Sequence, residues 1–191
     1  VEALKSAVDR VVRVLEDHPK PLPARADGAL FQFAPAEYRD AARELADGLS
    51  EADFRQLAAW SSEPPPPSQE FRPDGTPVSR TYAWQTLWHT TVFEILYQAR
   101  ERALPGLRER STWVKTMPIA ARLAGEGVGT QEFVDDALAR LETLDTLDAL
   151  TLVESVHQAA DRSESFRVVA ARLLGHAAFR RAEEEYDESE G

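Results

Sequence analysis

The chain contains no cysteine. Disulfides, thiolate catalysis and cysteine-based zinc sites are therefore excluded. No apolar run approaches the roughly 18–20 residues that a membrane helix needs. The most apolar stretch, residues 91–99, is short and carries Glu94. No segment alternates apolar and polar residues with β-branched enrichment, so a sheet is not expected. No secretion signal is visible either, because the residues from Val1 place polar side chains at helical spacing with no continuous apolar stretch. A cytoplasmic location is the expectation, although the chain opens on Val1 rather than Met and residues before it stay open. Positive charge is scarce: 22 Lys and Arg stand against 33 Asp and Glu, a net charge of −11. An acidic field repels phosphate backbones and anionic lipid, which disfavours nucleic acid and membrane surfaces and favours a basic protein. The same charge also serves solubility.

What is present describes an ordinary globular chain. Of its 191 residues, 43% are hydrophobic and 29% charged. That length supports one sizeable domain, with room for two packed subdomains.

Apolar residues recur at helical spacing almost throughout. Leu4, Val8, Val12 and Leu15 mark a first helix, stopped by Pro21 and Pro23. A loop follows, with Leu30, Phe31 and Phe33 available as anchors. A second helix opens near Pro35, a favoured first-turn residue, and Gly48 is expected to end it in a left-handed conformation. Ser50 and Asp53 have the spacing of a capping box, and Leu49 and Phe54 that of a hydrophobic staple. Residues 61–78 then hold six of the 12 prolines: Pro64, Pro65, Pro66, Pro67, Pro73 and Pro77. Four prolines in a row favour polyproline II, and Pro73-Asp74-Gly75 is a turn signature. The segment reads as a linker, with a ligand for an aromatic groove as the alternative.

Beyond residue 79 the pattern is helical nearly to the end. Trp84, Leu87, Trp88, Val92, Ile95 and Leu96 form so wide a stripe that their helix should be central. Pro105-Gly106 is expected to break it. Further helices are expected from Trp113, Thr130, Asp145 and Ser163, the last reaching about Arg181. The organisation read from this is an N-terminal helical unit (1–60), a Pro-rich linker (61–78), a helical-hairpin unit (79–182) and an acidic disordered tail (183–191).

A shift of roughly 33 residues lays Phe133 on Phe166, Ala137 on Ala170 and Leu141 on Leu174. It also lays Met117 on Leu150, Ala120 on Val153 and Leu123 on Val156. Stacked helical hairpins produce such a period. The stretches Ala103-Leu104-Pro105-Gly106-Leu107 and Ile119-Ala120-Ala121-Arg122-Leu123-Ala124-Gly125-Glu126-Gly127 carry a further likeness. Over roughly residues 81–181 the chain resembles HEAT-like α-helical repeat proteins of bacteria. The resemblance implies an all-α solenoid of stacked antiparallel hairpins, acting as an interaction scaffold with a concave surface and no catalytic motif. A compact helical bundle is the alternative fold.

Local motifs for chemistry are sparse. None of His18, His89, His157 and His176 belongs to a zincin pattern, and Glu154-x-x-His157 is half of a di-iron motif with no second half. Asp135-Asp136 would need a third carboxylate for Mg²⁺, but Ala139 and Arg140 stand in its place. Gly125, Gly127 and Gly129 precede a helix, but there is no strand before them and no Lys after, so a helix-ending turn explains them better than a phosphate loop. No Gly-x-Ser-x-Gly elbow occurs. No catalytic residue, metal site or cofactor is therefore assigned, and a non-enzyme is favoured. The most ligand-like grouping is Trp84, Trp88, His89 and Trp113, aromatic walls with one polar tip, for which core packing is the competing reading.

The leading functional expectation is a non-catalytic protein-binding module for a basic partner, with an antagonist or immunity protein of a cationic toxin as one version. A small-molecule-binding or enzymatic bundle with a Trp-lined pocket is the alternative. An oligomerising subunit is a third, to be recognised by an exposed apolar patch on the final helix.

Overall fold

The computed structural model describes residues 1–17, 35–60, 73–76 and 81–191, without the side chains of 81–84. All regular structure among the described residues is helical. The expected anchors Leu30, Phe31 and Phe33, the four-proline run and His18 lie outside the described residues. Of the expected linker, only 73–76 is described. Asp74 there accepts from the Thr76 N–H at 3.0 Å and the Thr76 hydroxyl at 2.6 Å, and Gly75 has a φ of +84°. That is the turn chemistry its sequence encodes. The chain divides into two compact units, 1–103 and 104–191.

In the first unit, α1 (Glu2–Glu16) buries Leu4, Val8, Val11, Val12 and Leu15. Helices α2 (Ala36–Asp47) and α3 (Glu51–Ala59) follow, and α4 (Thr81–Gln98) packs against all three. Leu87, Trp88, Val92, Phe93, Ile95 and Leu96 are buried around α4, so it is central, as its wide stripe implies. The capping box of α3 is complete: Ser50 Oγ accepts from the Asp53 N–H, and the Asp53 carboxylate accepts from the Ser50 N–H. Gly48, in contrast, is right-handed, with a φ of −92°. Its N–H bonds to the Leu45 carbonyl and that of Leu49 to Ala46, so i→i+3 bonds close the helix without a left-handed residue.

Pro105-Gly106 is not where the helix breaks. The interruption is at Ala99, and α5 (Arg100–Leu107) restarts with the N–H groups of Arg102 and Ala103 on the Ala99 carbonyl. Pro105 costs this short helix one bond, to exposed Glu101, and is tolerated. Arg102 donates to the carbonyls of Ala46 and Leu49, closing the end of α2, and lies over the Phe54 ring.

The second unit holds α6 (Trp113–Gly125), α7 (Thr130–Arg140), a 3-10 turn (Leu141–Thr143), α8 (Thr146–Arg162), α9 (Glu164–Val169), α10 (Ala171–Leu174) and α11 (Ala177–Glu190). Helix α6 packs on α8, and α7 on α9 and α10. Phe133, Ala137, Val153, Phe166, Leu173 and Phe179 belong to one core. The α6–α7 turn is a Schellman close: the Val128 N–H reaches the Leu123 carbonyl, and the Gly127 N–H that of Ala124. Gly127 and Gly129 adopt φ of +83° and +62°, which explains the glycines without a ligand.

The chain end departs from the simple reading in two ways. The stretch from Ser163 is three helices, because Gly175 closes α10 and His176 Nδ1 caps α11 by accepting from the Ala178 N–H at 3.1 Å. Helix α11 then continues past Arg181 to Glu190, into the segment expected as a tail. Ala182 is buried, Tyr186 packs on the core, and Glu183 bonds His157 at 2.9 Å. These contacts hold the acidic residues on a helix.

Candidate functional site

The described surface of the second unit carries an open cleft of about 600 Å³ where the start of α6, the end of α7 and the start of α8 converge. Asp136 organises one side of it. On α7, Asp135 and Asp136 point in different directions, as adjacent helical residues must. Asp135 is exposed and accepts from Gln131, whereas Asp136 turns inward. Its carboxylate receives Arg108 Nε at 3.0 Å and an Arg108 terminal nitrogen at 3.2 Å, a bidentate pair. That hydrogen bonding is the main cause of the raised Arg108 pKa. Arg140, one turn along α7, approaches the same carboxylate at 3.5 Å.

The guanidinium of Arg140 lies 5.2 Å from the centroid of the Trp113 ring, within cation–π range. Its Nε is buried and makes no hydrogen bond among the described residues. Trp113 itself is 1% exposed and stacks on Phe133. The cleft therefore meets a charged cover over an indole rather than an open aromatic wall. Val114, Ala139 and Leu144 add aliphatic surface, and Arg110 stands on the rim.

The opposite wall is acidic. Asp145 caps α8 by accepting from the Asp148 N–H at 2.8 Å, which brings the two carboxyls together. Burial, then the Asp145 charge, then a hydrogen bond with Asp145 push the Asp148 pKa above the ordinary carboxylate value. Neither residue has an ion-pair partner among the described residues, whereas Asp136 has two.

Trp88 and His89 belong to α4 in the first unit. Trp88 is fully buried, its ring edge-on to Trp60 at 5.7 Å, in a helix that also buries Glu94. The Trp84 side chain lies outside the described residues. Trp113 belongs to the second unit, so the four candidates divide between two compact units. His157 bonds Glu183 rather than forming half of a metal site. Among the described residues, no group of three or more His, Asp or Glu is placed to hold a metal ion. The sequence presents Asp145 only as a helix start and Arg140 only as the residue standing where a third carboxylate would fall, and nothing local signals that they share a cleft.

The chain matches no family model, no curated protein and no solved structure. Among the described residues, no helix is long and apolar enough to cross a membrane.

Proposed function

We propose that the chain is a non-catalytic interaction module, built of stacked helical hairpins, that binds a basic protein. The carrying observation is the placement of acidic charge on ordered helices. Glu184, Glu185, Asp187, Glu188 and Glu190 are exposed on α11, and Asp145 is exposed at the start of α8. Fixed charge of one sign speeds encounter with a cationic surface and selects against acidic partners. Support for the hairpin reading comes from equivalent positions one repeat apart. Phe133 and Phe166 are both buried, as are Ala137 and Ala170, and α7 packs on α9 and α10 as α6 does on α8. A cationic toxin, such as a nuclease, is one partner of the right chemistry.

The test is affinity capture on the full chain from source lysate, washed at low and then high salt. A stoichiometric basic protein released by salt is the expected result. A capture indifferent both to salt and to neutralised carboxylates contradicts the proposal.

A small-molecule-binding or enzymatic bundle has one observation in its favour, the cleft bordering Trp113. Thermal-shift screening of small ligands tests it, with a stabilised melt as the supporting result. The oligomer reading has less support: of the strongly exposed large apolar residues among the described ones, Val1, Val114, Leu147 and Val168, only Val168 lies in the stretch from Ser163 expected as the final helix, a single side chain rather than a patch.

A further inference from the structure

The last two turns of α11 combine two opposed features. The first is intrinsic to the sequence. Residues 183–190 carry the carboxylates of Glu183, Glu184, Glu185, Asp187, Glu188 and Glu190, and no basic residue follows Arg181. Helical residues four apart are neighbours, so Glu183 faces Asp187 and Glu184 faces Glu188, and like charges at that spacing destabilise a helix. Asp187, Glu188 and Glu190 also occupy the last turn, where the helix dipole favours cations. Local forces alone therefore fray this segment.

The second feature is tertiary and small. Among the described residues of α11, none beyond Ala182 is buried, and only Glu183 and Tyr186 are half-buried. Both meet the same residue of α8. His157 Nε2 lies 2.9 Å from Glu183 Oε1, and the imidazole stands edge-on to Tyr186 at 6.2 Å and to Phe179 at 6.1 Å. Carboxylates crowd this contact from both helices: burial, then the charges of Glu154, Glu190 and Asp187, push the Tyr186 pKa up.

We infer that residues 183–190 form a charge-operated latch, docked on α8 through His157 and released as an acidic tail when that catch is lost. Ala182, the last buried residue, marks the hinge. The core of the second unit is built from residues up to Ala182, with Tyr186 added at its edge, so the latch opens without unfolding that core. Repulsion among the carboxylates drives opening, and the half-buried bond from His157 to Glu183 opposes it. Salt screens the exposed charges more than the half-buried bond, so it closes the latch. A cationic surface that binds the docked helix better than the tail closes it too. That last consequence rests on the reading of the chain as a binder of a basic protein, whereas the latch itself does not.

The experiment measures Cα chemical shifts and amide nuclear Overhauser effects on the isotope-labelled full chain at one fixed pH. The chains compared are the parent, His157→Ala, and His157→Ala combined with Glu184→Gln and Glu188→Gln. In His157→Ala the docked-to-released ratio of residues 183–190 is expected to fall at least about fivefold, as a hydrogen bond and its ring contacts are lost. Shifts at Phe133, Phe166 and Leu173 stay at their parent values. Removing the two outer carboxylates from that variant, or raising sodium chloride from about 20 mM to about 0.5 M, restores the ratio at least about twofold. Helical shifts that persist over 183–190 in His157→Ala overturn the inference, because the catch is then elsewhere. Losses that spread through Phe133 and Phe166 overturn it as well, since the segment then has no opening of its own. Indifference to both charge removal and salt shows that repulsion does not drive release, and also overturns it.

Discussion

Removing the charge of Asp136 should cost more than removing the arginine it binds most closely. Asp136→Asn keeps the side-chain shape but takes a carboxylate from two guanidiniums at once. Arg108 is 47% exposed, so its pair with Asp136 lies in the surface regime and contributes roughly 0.2–1 kcal/mol. Arg140 is different: its side chain is 20% exposed, it lies over Trp113, and Asp136 is its sole ion-pair partner among the described residues. Leaving a mostly buried cation without its counter-charge adds about 1–3 kcal/mol. Arg108→Gln should therefore cost at most about 1 kcal/mol and Asp136→Asn about 2–3 kcal/mol. High salt should erase most of the Arg108 share, which is solvent-screened, and little of the Arg140 share. Native-state hydrogen exchange across α6 to α8 reads the opening free energy of this unit by itself. A cost for Arg108→Gln equal to or above that for Asp136→Asn would refute the assignment of Arg140 as the dependent partner.

Further tests probe the turn, the titration and the core. Gly129→Ala should destabilise by about 2 kcal/mol, more than Gly127→Ala at about 1 kcal/mol. Both have positive φ, but only at 129 does an added Cβ meet a neighbour, Leu104 Cδ2, at 2.8 Å; equal urea midpoints would contradict the contact. Asp148 binds its proton more readily folded than unfolded, so its contribution lowers stability as pH rises from 3.8 toward the raised folded value. Asp148→Asn should then melt higher than the parent at neutral pH, with the gap closing in acid. A gap that widens in acid would reverse the sign. Trp88→Ala should lose about 3–5 kcal/mol and unfold the first unit cooperatively, as expected of a core residue packed on Trp60. An intact melt would favour a pocket at Trp88 instead.

How much of this was legible in the sequence depends on distance along the chain. The Ser50–Asp53 box, the glycine turn after α6 and the central burial of α4 were readable, since each is fixed by residues within a few positions. The end of α11 was not. Its acidic composition suggests fraying, whereas its order depends on the bond from Glu183 to His157, 26 residues away. The cleft was hidden for the same reason. The sequence sets Asp136 beside Asp135 as half of a metal pair, but its partner Arg108 lies 28 residues before it and leaves no periodic trace. At the tryptophans the sequence leaves core packing and a shared pocket open: Trp88 and Trp113 are both buried, as core packing expects, and they lie in different units. Clustering of residue type along a chain does not encode which core each side chain enters.

The most direct test of the central claim is a paired lysate capture, with the native chain and with a chain whose exposed α11 carboxylates are neutralised (Glu184→Gln, Glu185→Gln, Asp187→Asn, Glu188→Gln) on separate supports and one salt series for both. The prediction is a basic protein that the native chain retains at low salt and releases at high salt, and that the neutralised chain retains at least about tenfold less well. A captured protein that is acidic or insensitive to salt, or no stoichiometric partner on the native chain, would contradict it.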